Sequence, residues 1–308
     1  MPPRSPLPPR SGLSAAWVRT PDRDPLADAR WSTMGGWLQQ RLPEHVDVAA
    51  MLSDQRFVHQ DGTPVLADEP YRPHTFVWFH RDLRAEPDVP GELVVLHRDE
   101  RVVVVDKPPF LSSIPRGRHV AQSVVVRLRD ELGLPELAPA HRLDRITSGV
   151  LLMTTERRWR GPYQSLFEHR AVHKSYRAVA PVREDLVLPL VVRSHIRKVR
   201  GVLQAEEVPG APVNAETLVE LETVTDGLGH YRLTPRTGRT HQLRLHLHSL
   251  AIPILGDPLY PVVRDVDVDD FSEPLQLLAA ELSFTDPVDG RTRHLVSRRT
   301  LPLPAPHR

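Results

Sequence analysis

Residues 141–149 read HRLDRITSG and run straight into the apolar stretch VLLM at 150–153. One carboxylate, Asp144, stands there between Arg142 and Arg145. Opposite charges so close favour the ionised form. An ionised carboxylate serves as a nucleophile or a general base. Thr147, Ser148 and Gly149 add small hydroxyls and a residue that permits a tight approach. A surface ion-pair cluster would use the same residue types, so residue types alone leave both readings open.

Three further segments carry candidate chemistry. In HKSYRAV, at 173–179, strand period puts Lys174, Tyr176 and Ala178 on one face, and Ala178 leaves room beside the ring. A Tyr on a strand most often just packs, its hydroxyl satisfied at an edge, and that reading is open for Tyr176. In TGRTHQLRLHLHSLAIPILGDPLY, at 237–260, Arg239 falls at a helix N-terminus, where free N–H groups already favour an anion. An Arg there can take a carboxylate in bidentate fashion, or a phosphate. His241, His246 and His248 invite a metal reading. However, His246 and His248 diverge by about 200° on a helix, and no acidic ligand follows until Asp257. Finally, VVVVDKPP at 102–109 is a β-branched run ending in Asp106-Lys107-Pro108-Pro109. It reads either as a strand whose end walls a site or as an ordinary strand stop at proline.

These residues need elements to hold them. Leu93–Leu96 and Val102–Val105 flank a charged turn and predict a hairpin. Val124, Leu128 and Leu132 predict a helix that Gly133 ends. Val150–Met153 reads as a buried strand, and Pro162 opens a short helix carrying Tyr163, Leu166 and Phe167. Val172–Ala180, Leu218–Leu221 and Tyr231–Leu233 read as strands, and Thr240 N-caps a helix with Leu243, Leu247 and Leu250 on one face. Residues 1–30 read as a flexible Pro/Arg-rich tail. Residues 31–85 read as a small module of two helices broken at Pro43, then a hairpin with an Asp61-Gly62 turn that ends at Phe76–Phe79. Residues 86–91 read as a linker and 92–305 as the main domain.

Composition narrows the chemistry. The chain has 308 residues and no cysteine, which excludes a disulfide scaffold, a thiolate zinc site and a cysteine nucleophile. A reducing cytoplasm is the expected compartment. No apolar run reaches the ~20 residues a membrane helix needs. Net charge is +1, but it is unevenly spread: residues 141–200 hold 13 basic and 5 acidic residues, and residues 261–290 hold 1 and 8. A polyanion responds to the local sign. Of the 40 basic residues only Lys107, Lys174 and Lys198 are lysine. The arginine excess suits phosphate contact, and base composition of the genome would produce it too.

Taken together, DKPP at 106–109, HRLDRITSGVLLM at 141–153, KSY at 174–176 and the 237–260 segment resemble the RluA-type family of RNA pseudouridine synthases. The resemblance covers roughly 92–305, includes LQLLAAELSFTDPVDG at 275–290, and is poor over 181–214. It implies an α+β fold with a central mixed, largely antiparallel sheet, flanking helices and a catalytic cleft. It implies isomerisation of uridine to pseudouridine in ribosomal or transfer RNA, with no cofactor, no metal and a monomeric enzyme. By resemblance Asp144 is the catalytic carboxylate, by a covalent or a glycal route. Tyr176 packs on the base and is the candidate for the C5 proton step, and Arg239 pairs with Asp144. Arg142 fills the space of a base flipped out of the RNA. Leu143, Lys174 and Arg244 join the RNA-binding set, with His141 and Thr147 shaping the loop. Residues 31–85 resemble a small S-four-like RNA-binding module. Two other classes compete. A non-catalytic RNA-binding protein could keep the fold, although the intact Asp144, Tyr176 and Arg239 argue against decay. A glycoside or nucleoside hydrolase would need a second carboxylate as proton donor, and the motif loops offer one.

Overall fold

The structure is a computed structural model and describes residues 2–22 and 31–301. The chain forms two compact units that part between Ala85 and Glu86. In the first, β1 (Ala16–Arg19), α1 (Met34–Arg41), α2 (Val48–Ser53) and β2 (Phe76–Phe79) follow in order. Thr33 caps α1 by accepting from the Gly36 N–H, and Asp47 caps α2 by accepting from Ala50. Their apolar faces bring Met34, Trp37, Leu38, Val48 and Met51 together with Phe57, Val65, Val77 and Phe79.

Two expectations for this unit need correction. Residues 16–19 are not tail: their alternating pattern forms β1, which pairs antiparallel with β2 from Ala16↔Phe79 to Arg19↔Phe76. The expected hairpin is therefore not built. Asp61-Gly62 does turn the chain, with Asp61 accepting from the Thr63 N–H at 3.0 Å. Val58, however, makes only single bridges to Pro64 and Trp78. The neighbours of β1 are not free tail either, since Leu7 and Ala15 pack with Val58 and Trp78, and the buried Thr20 donates to the Arg72 carbonyl; residues 1 and 23–30 of the expected tail lie outside the described residues.

The second unit contains β3 (Val94–Arg98), β4 (Val102–Lys107), α3 (Val124–Leu132), β5 (Ala138–Pro139), β6 (Ser148–Thr154), α4 (Arg157–Glu168) and β7 (Val172–Pro181). It continues through β8 (Leu190–Ser194), β9 (Ile196–Arg197), β10 (Glu206–Glu207), β11 (Ala215–Thr225), β12 (Leu228–Pro235), α5 (Gln242–Ser249), β13 (Leu277–Thr285) and β14 (Thr292–Val296). One sheet runs β3-β4-β6-β13-β7-β12-β11-β8, with β14 on β13 and β5 on β6. All its pairings are antiparallel except β6 with β13. The fold is α+β, as the motifs imply.

Strand alternation divides the interior into two cores. Val103, Val105, Leu151 and Met153 face one side, packed with Val124 and Leu128 of α3 and Leu243 and Leu247 of α5. Val102, Val104, Val150 and Leu152 face the other, under Tyr163 of α4. Such double burial explains why β4 and β6 read as unbroken apolar runs.

Three sequence-based boundaries shift. α4 starts at Arg157, so Pro162 lies inside the helix rather than at its opening. The residue before α5 is His241, not Thr240, and it is left-handed with φ 60° and makes no side-chain cap bond. Residues 86–91 are no free linker. The Glu86 carboxylate accepts from the N–H groups of Val120, Ala121 and Gln122, and Val89 is buried in the main core.

The β6–β13 approach is tight at one residue. Gly149 has φ +109°, and a Cβ there would sit 2.2 Å from the Ala279 carbonyl oxygen. Gly149→Ala is therefore expected to cost more than about 4 kcal/mol, because strained backbone and a clash with fixed backbone combine. Thermal unfolding checks this; a Tm near wild type would contradict it.

Candidate active site

The 140–147 loop joins β5 to β6 and is pinned on both sides of Asp144. Before it, the Leu143 N–H donates to Ser113 Oγ at 3.1 Å, and that hydroxyl donates to the Leu143 carbonyl at 2.8 Å. After it, the Arg145 carbonyl accepts from Lys107 Nζ at 2.9 Å. Lys107 also donates to the Pro108 and Leu111 carbonyls, at 3.0 and 2.8 Å. It is fully buried, and desolvation pushes its pKa well below the ordinary lysine value against the pull of Asp144. The Thr147 N–H closes a turn onto the Asp144 carbonyl at 3.1 Å. The motif DKPP thus works as a knot under the Asp144 loop, with Asp106 accepting from Ser297 and Arg298 beneath it.

With its backbone fixed, the Asp144 side chain stays 35% exposed. Its Oδ2 lies 3.3 Å from Arg244 Nη1. Arg244 in turn forks onto Asp257, Nε to Oδ2 at 2.7 Å and Nη2 to Oδ1 at 2.6 Å, and both side chains are almost fully buried. Burial opposes the Arg244 charge, but the Asp257 bond with the Asp257 and Asp144 charges outweighs it and raises the pKa. Asp257 also accepts from the Leu259 and Tyr260 N–H groups, so its oxygens are well satisfied.

The expected Asp144–Arg239 pair is not formed. Arg239 sits in the exposed turn before α5, and its Nε donates to the Asn214 carbonyl at 3.3 Å. Arg244, five residues on, lies on the buried face of α5 and takes that place. Its side chain is only 3% exposed and is engaged with Asp257 and Asp144, where the resemblance placed it in the RNA-binding set.

Other expected residues fall at or under the cleft. Tyr176, on β7, packs its ring against the main core. Burial and then the Asp144 charge push its phenol well above the ordinary tyrosine value. Arg142 is exposed on the cleft wall. Lys174 donates to the Thr237 carbonyl at 2.9 Å, tying β7 to the turn before α5. Burial and then Arg170 lower its pKa. Leu143 and Thr147 are buried loop anchors. His141 stacks on Phe167 with centroids 4.5 Å apart, and its Nε2 accepts from the Leu152 N–H at 3.2 Å. It supports the loop from behind.

Residue reading missed three members of this site: Arg244 as the partner of Asp144, Asp257 behind it, and His241. His241 Nε2 is 3.9 Å from Asp144 Oδ2, and its Nδ1 is 3.1 Å from the Tyr260 hydroxyl. The available signal was Arg244 itself, an arginine among leucines in QLRLHL, since an arginine on an apolar helix face needs a buried carboxylate.

These groups open onto a cleft of about 1440 Å³, larger than the ~300–1,000 Å³ of small-molecule pockets. Its lining holds eleven Arg or Lys and five Asp or Glu. The poorly matching 181–214 stretch contributes Lys198–Leu203 to the wall, between β9 and β10. Among the described residues no group of three His, Asp or Glu could hold a metal ion.

Three histidines here titrate low. Burial lowers His141 to about 3, and His241 and His246 to about 4. The unfolded chain binds their protons near pH 6.5. Between about pH 6.5 and 4 it therefore holds more protons than the folded chain, and stability falls as pH falls. The melting temperature is expected to drop steadily from neutral pH to about 4.5; a flat profile would contradict the three neutral rings.

A family model described as RNA pseudouridylate synthase matches residues 101–249. The dual-specificity RNA pseudouridine synthase RluA of Vibrio vulnificus is 33% identical over 207 residues, covering 65% of this chain and 81% of its own. The enzyme of the same name from Escherichia coli O6:H1 is 34% identical, covering 65% and 90%. Among solved structures, human RNA Pseudouridylate Synthase Domain Containing 4 superposes with a TM-score of 0.51 at 26% identity, covering 68% of this chain and 88% of that one. The class is thereby defined as an isomerase that makes pseudouridine in RNA. Within it, the chain belongs to the RluA-type family of RNA pseudouridine synthases.

Proposed function

We propose that the substrates are uridines in ribosomal or transfer RNA and that Asp144 carries the reaction. The observation behind this is one carboxylate, backbone-pinned and held on Oδ2 by a buried arginine, at the floor of a basic cleft. The N1–C1′ bond breaks, the uracil turns, and C5 bonds to C1′. Asp144 acts on the ribose, as nucleophile at C1′ or as base at C2′. Arg244 orients it. Tyr176 supplies the wall on which the base turns.

The target base must leave the stack to reach Asp144, and exposed Arg142 beside it fills the vacated space. Arg142→Ala is expected to slow single-turnover conversion by about tenfold or more while overall RNA affinity falls less, because one phosphate-class contact among many is lost. Unchanged single-turnover rates would remove that role. Residues 31–85 act as an accessory RNA-binding module, and the enzyme works as a cytoplasmic monomer without metal or cofactor. Among the described residues no helix is long and apolar enough to cross a membrane.

The test is a pseudouridine map of total RNA from cells with the wild-type gene, a deletion, and a deletion carrying Asp144→Asn. One or a few sites that vanish on deletion and stay lost with the variant fix enzyme and substrate together. No change at any site favours an RNA-binding protein without turnover.

A further inference from the structure

Rejoining the base through C5 leaves a proton on that carbon which must be taken up. Tyr176 was the expected acceptor, but burial and the Asp144 charge both hold its phenol neutral. A neutral phenol accepts a proton from carbon poorly.

Next to Asp144 lies a nitrogen that can accept one. Tyr260 Oη accepts from the Ala205 N–H at 2.7 Å and donates to the Ala205 carbonyl at 3.0 Å. Its single proton is thereby used. His241 Nδ1, 3.1 Å away, must then donate to Oη. In a neutral ring that leaves Nε2 with a lone pair, 3.9 Å from Asp144 Oδ2. The two acceptors stand about 1 Å beyond hydrogen-bond distance, and a proton joins them once they close that gap. The ring is held there at a cost, since φ 60° is unfavourable for a residue with a side chain. The charged and titratable groups around it are Asp144, Arg244, Asp257, Lys198 and Tyr260. Burial outweighs the acids among them, so the ring is neutral at neutral pH and takes up a proton only from a donor as acidic as a protonated carboxyl group.

We propose that His241 is a proton relay behind Asp144: the carboxylate takes the C5 proton of the rejoined nucleotide and passes it to His241 Nε2. The C5–H electron pair restores the C5–C6 double bond. N1, which left the sugar with the glycosidic electron pair, takes a proton from solvent. The imidazolium then loses its proton to solvent, and the site returns unchanged. His241 acts through Asp144 and is a positioning residue in that sense. The inference rests on Asp144 being the reacting carboxylate.

The test uses the full chain and an RNA that the wild type converts. His241→Gly suits the left-handed backbone and leaves a hole for imidazole. Its single-turnover rate should fall about 10²-fold or more, with RNA affinity near wild type. Added imidazole should restore at least about tenfold of this, increasingly as pH rises past the imidazole pKa. His241→Asn tolerates the same backbone and can still donate to Tyr260, but offers no base; it should lose the rate alike. A folded His241→Asn or His241→Gly within about threefold of wild type overturns the relay, as does a slow His241→Gly that imidazole leaves unchanged. A wild-type chain that forms no pseudouridine in any RNA overturns the assignment of substrate, and the relay with it.

Discussion

Asp144→Asn is expected to reduce pseudouridine formation by about 10⁴-fold or more while leaving RNA affinity within about threefold of wild type. Asn is nearly isosteric, and its amide oxygen can still accept from Arg244 Nη1, which reaches Oδ2 at 3.3 Å in the native chain. The loop around it is held through backbone bonds to Ser113, Lys107 and Thr147, none of which uses the carboxylate. What disappears is one negative charge and the carboxylate proposed to attack the sugar or take its proton. Removing a negative charge from a cleft rich in arginine does not weaken attraction to phosphate. Conversion of a defined RNA and equilibrium binding to the same RNA, measured side by side, check both halves. Substantial turnover by the variant would reject Asp144 as the reacting group.

Arg244→Met is expected to lose activity and to cost about 3–5 kcal/mol of stability. The substitution strands Asp257, a carboxylate that is 1% exposed and that depends on the guanidinium fork. Lysine is a poor substitute, since an ammonium cannot span Asp257 and Asp144 together. The double variant Arg244→Met, Asp257→Leu should regain much of the stability, because a buried ion pair can be exchanged for apolar residues at small cost. It should regain none of the activity, because Asp144 still lacks its orienting partner. Urea unfolding with activity assays on the three chains separates the two roles. Equal stability of the single and double variants would show that Asp257 does not depend on Arg244.

Residues that act through local pattern were legible in the sequence. The β-branched runs at 102–105 and the apolar run at 150–153 form central strands, and Val124, Leu128 and Leu132 form a helix ended by Gly133. The motif residues Asp144 and Tyr176 line one cleft. Features decided by tertiary contact were not legible. Arg239 and Arg244 lie five positions apart, and local rules favour the helix N-terminus for an anion. Only the packing of α5 shows that Arg244 is the buried one. The strand β1 was hidden because four residues in a proline-rich segment carry no meaning until β2, some sixty positions later, offers them an edge. Glu86 looked like linker because its three partners are main-chain N–H groups, invisible to residue type.

The place of β13 has a consequence in time. Asp144, Tyr176, His241, Arg244 and Asp257 all precede the strand, yet β13 lies in the middle of the sheet, with β6 along one edge and β7 along the other. Leu278 and Ala279 meet Ser148 and Gly149 at the end of the Asp144 loop, and Ala279 is also the partner of Tyr176. A chain still attached to the ribosome with residues 277–285 in the exit tunnel has these five residues already made and no shared frame for them. Translation adds about 5–20 residues each second, so these groups wait seconds for the strand that joins them. Competence is then gained in one step, when the strand enters the sheet between β6 and β7.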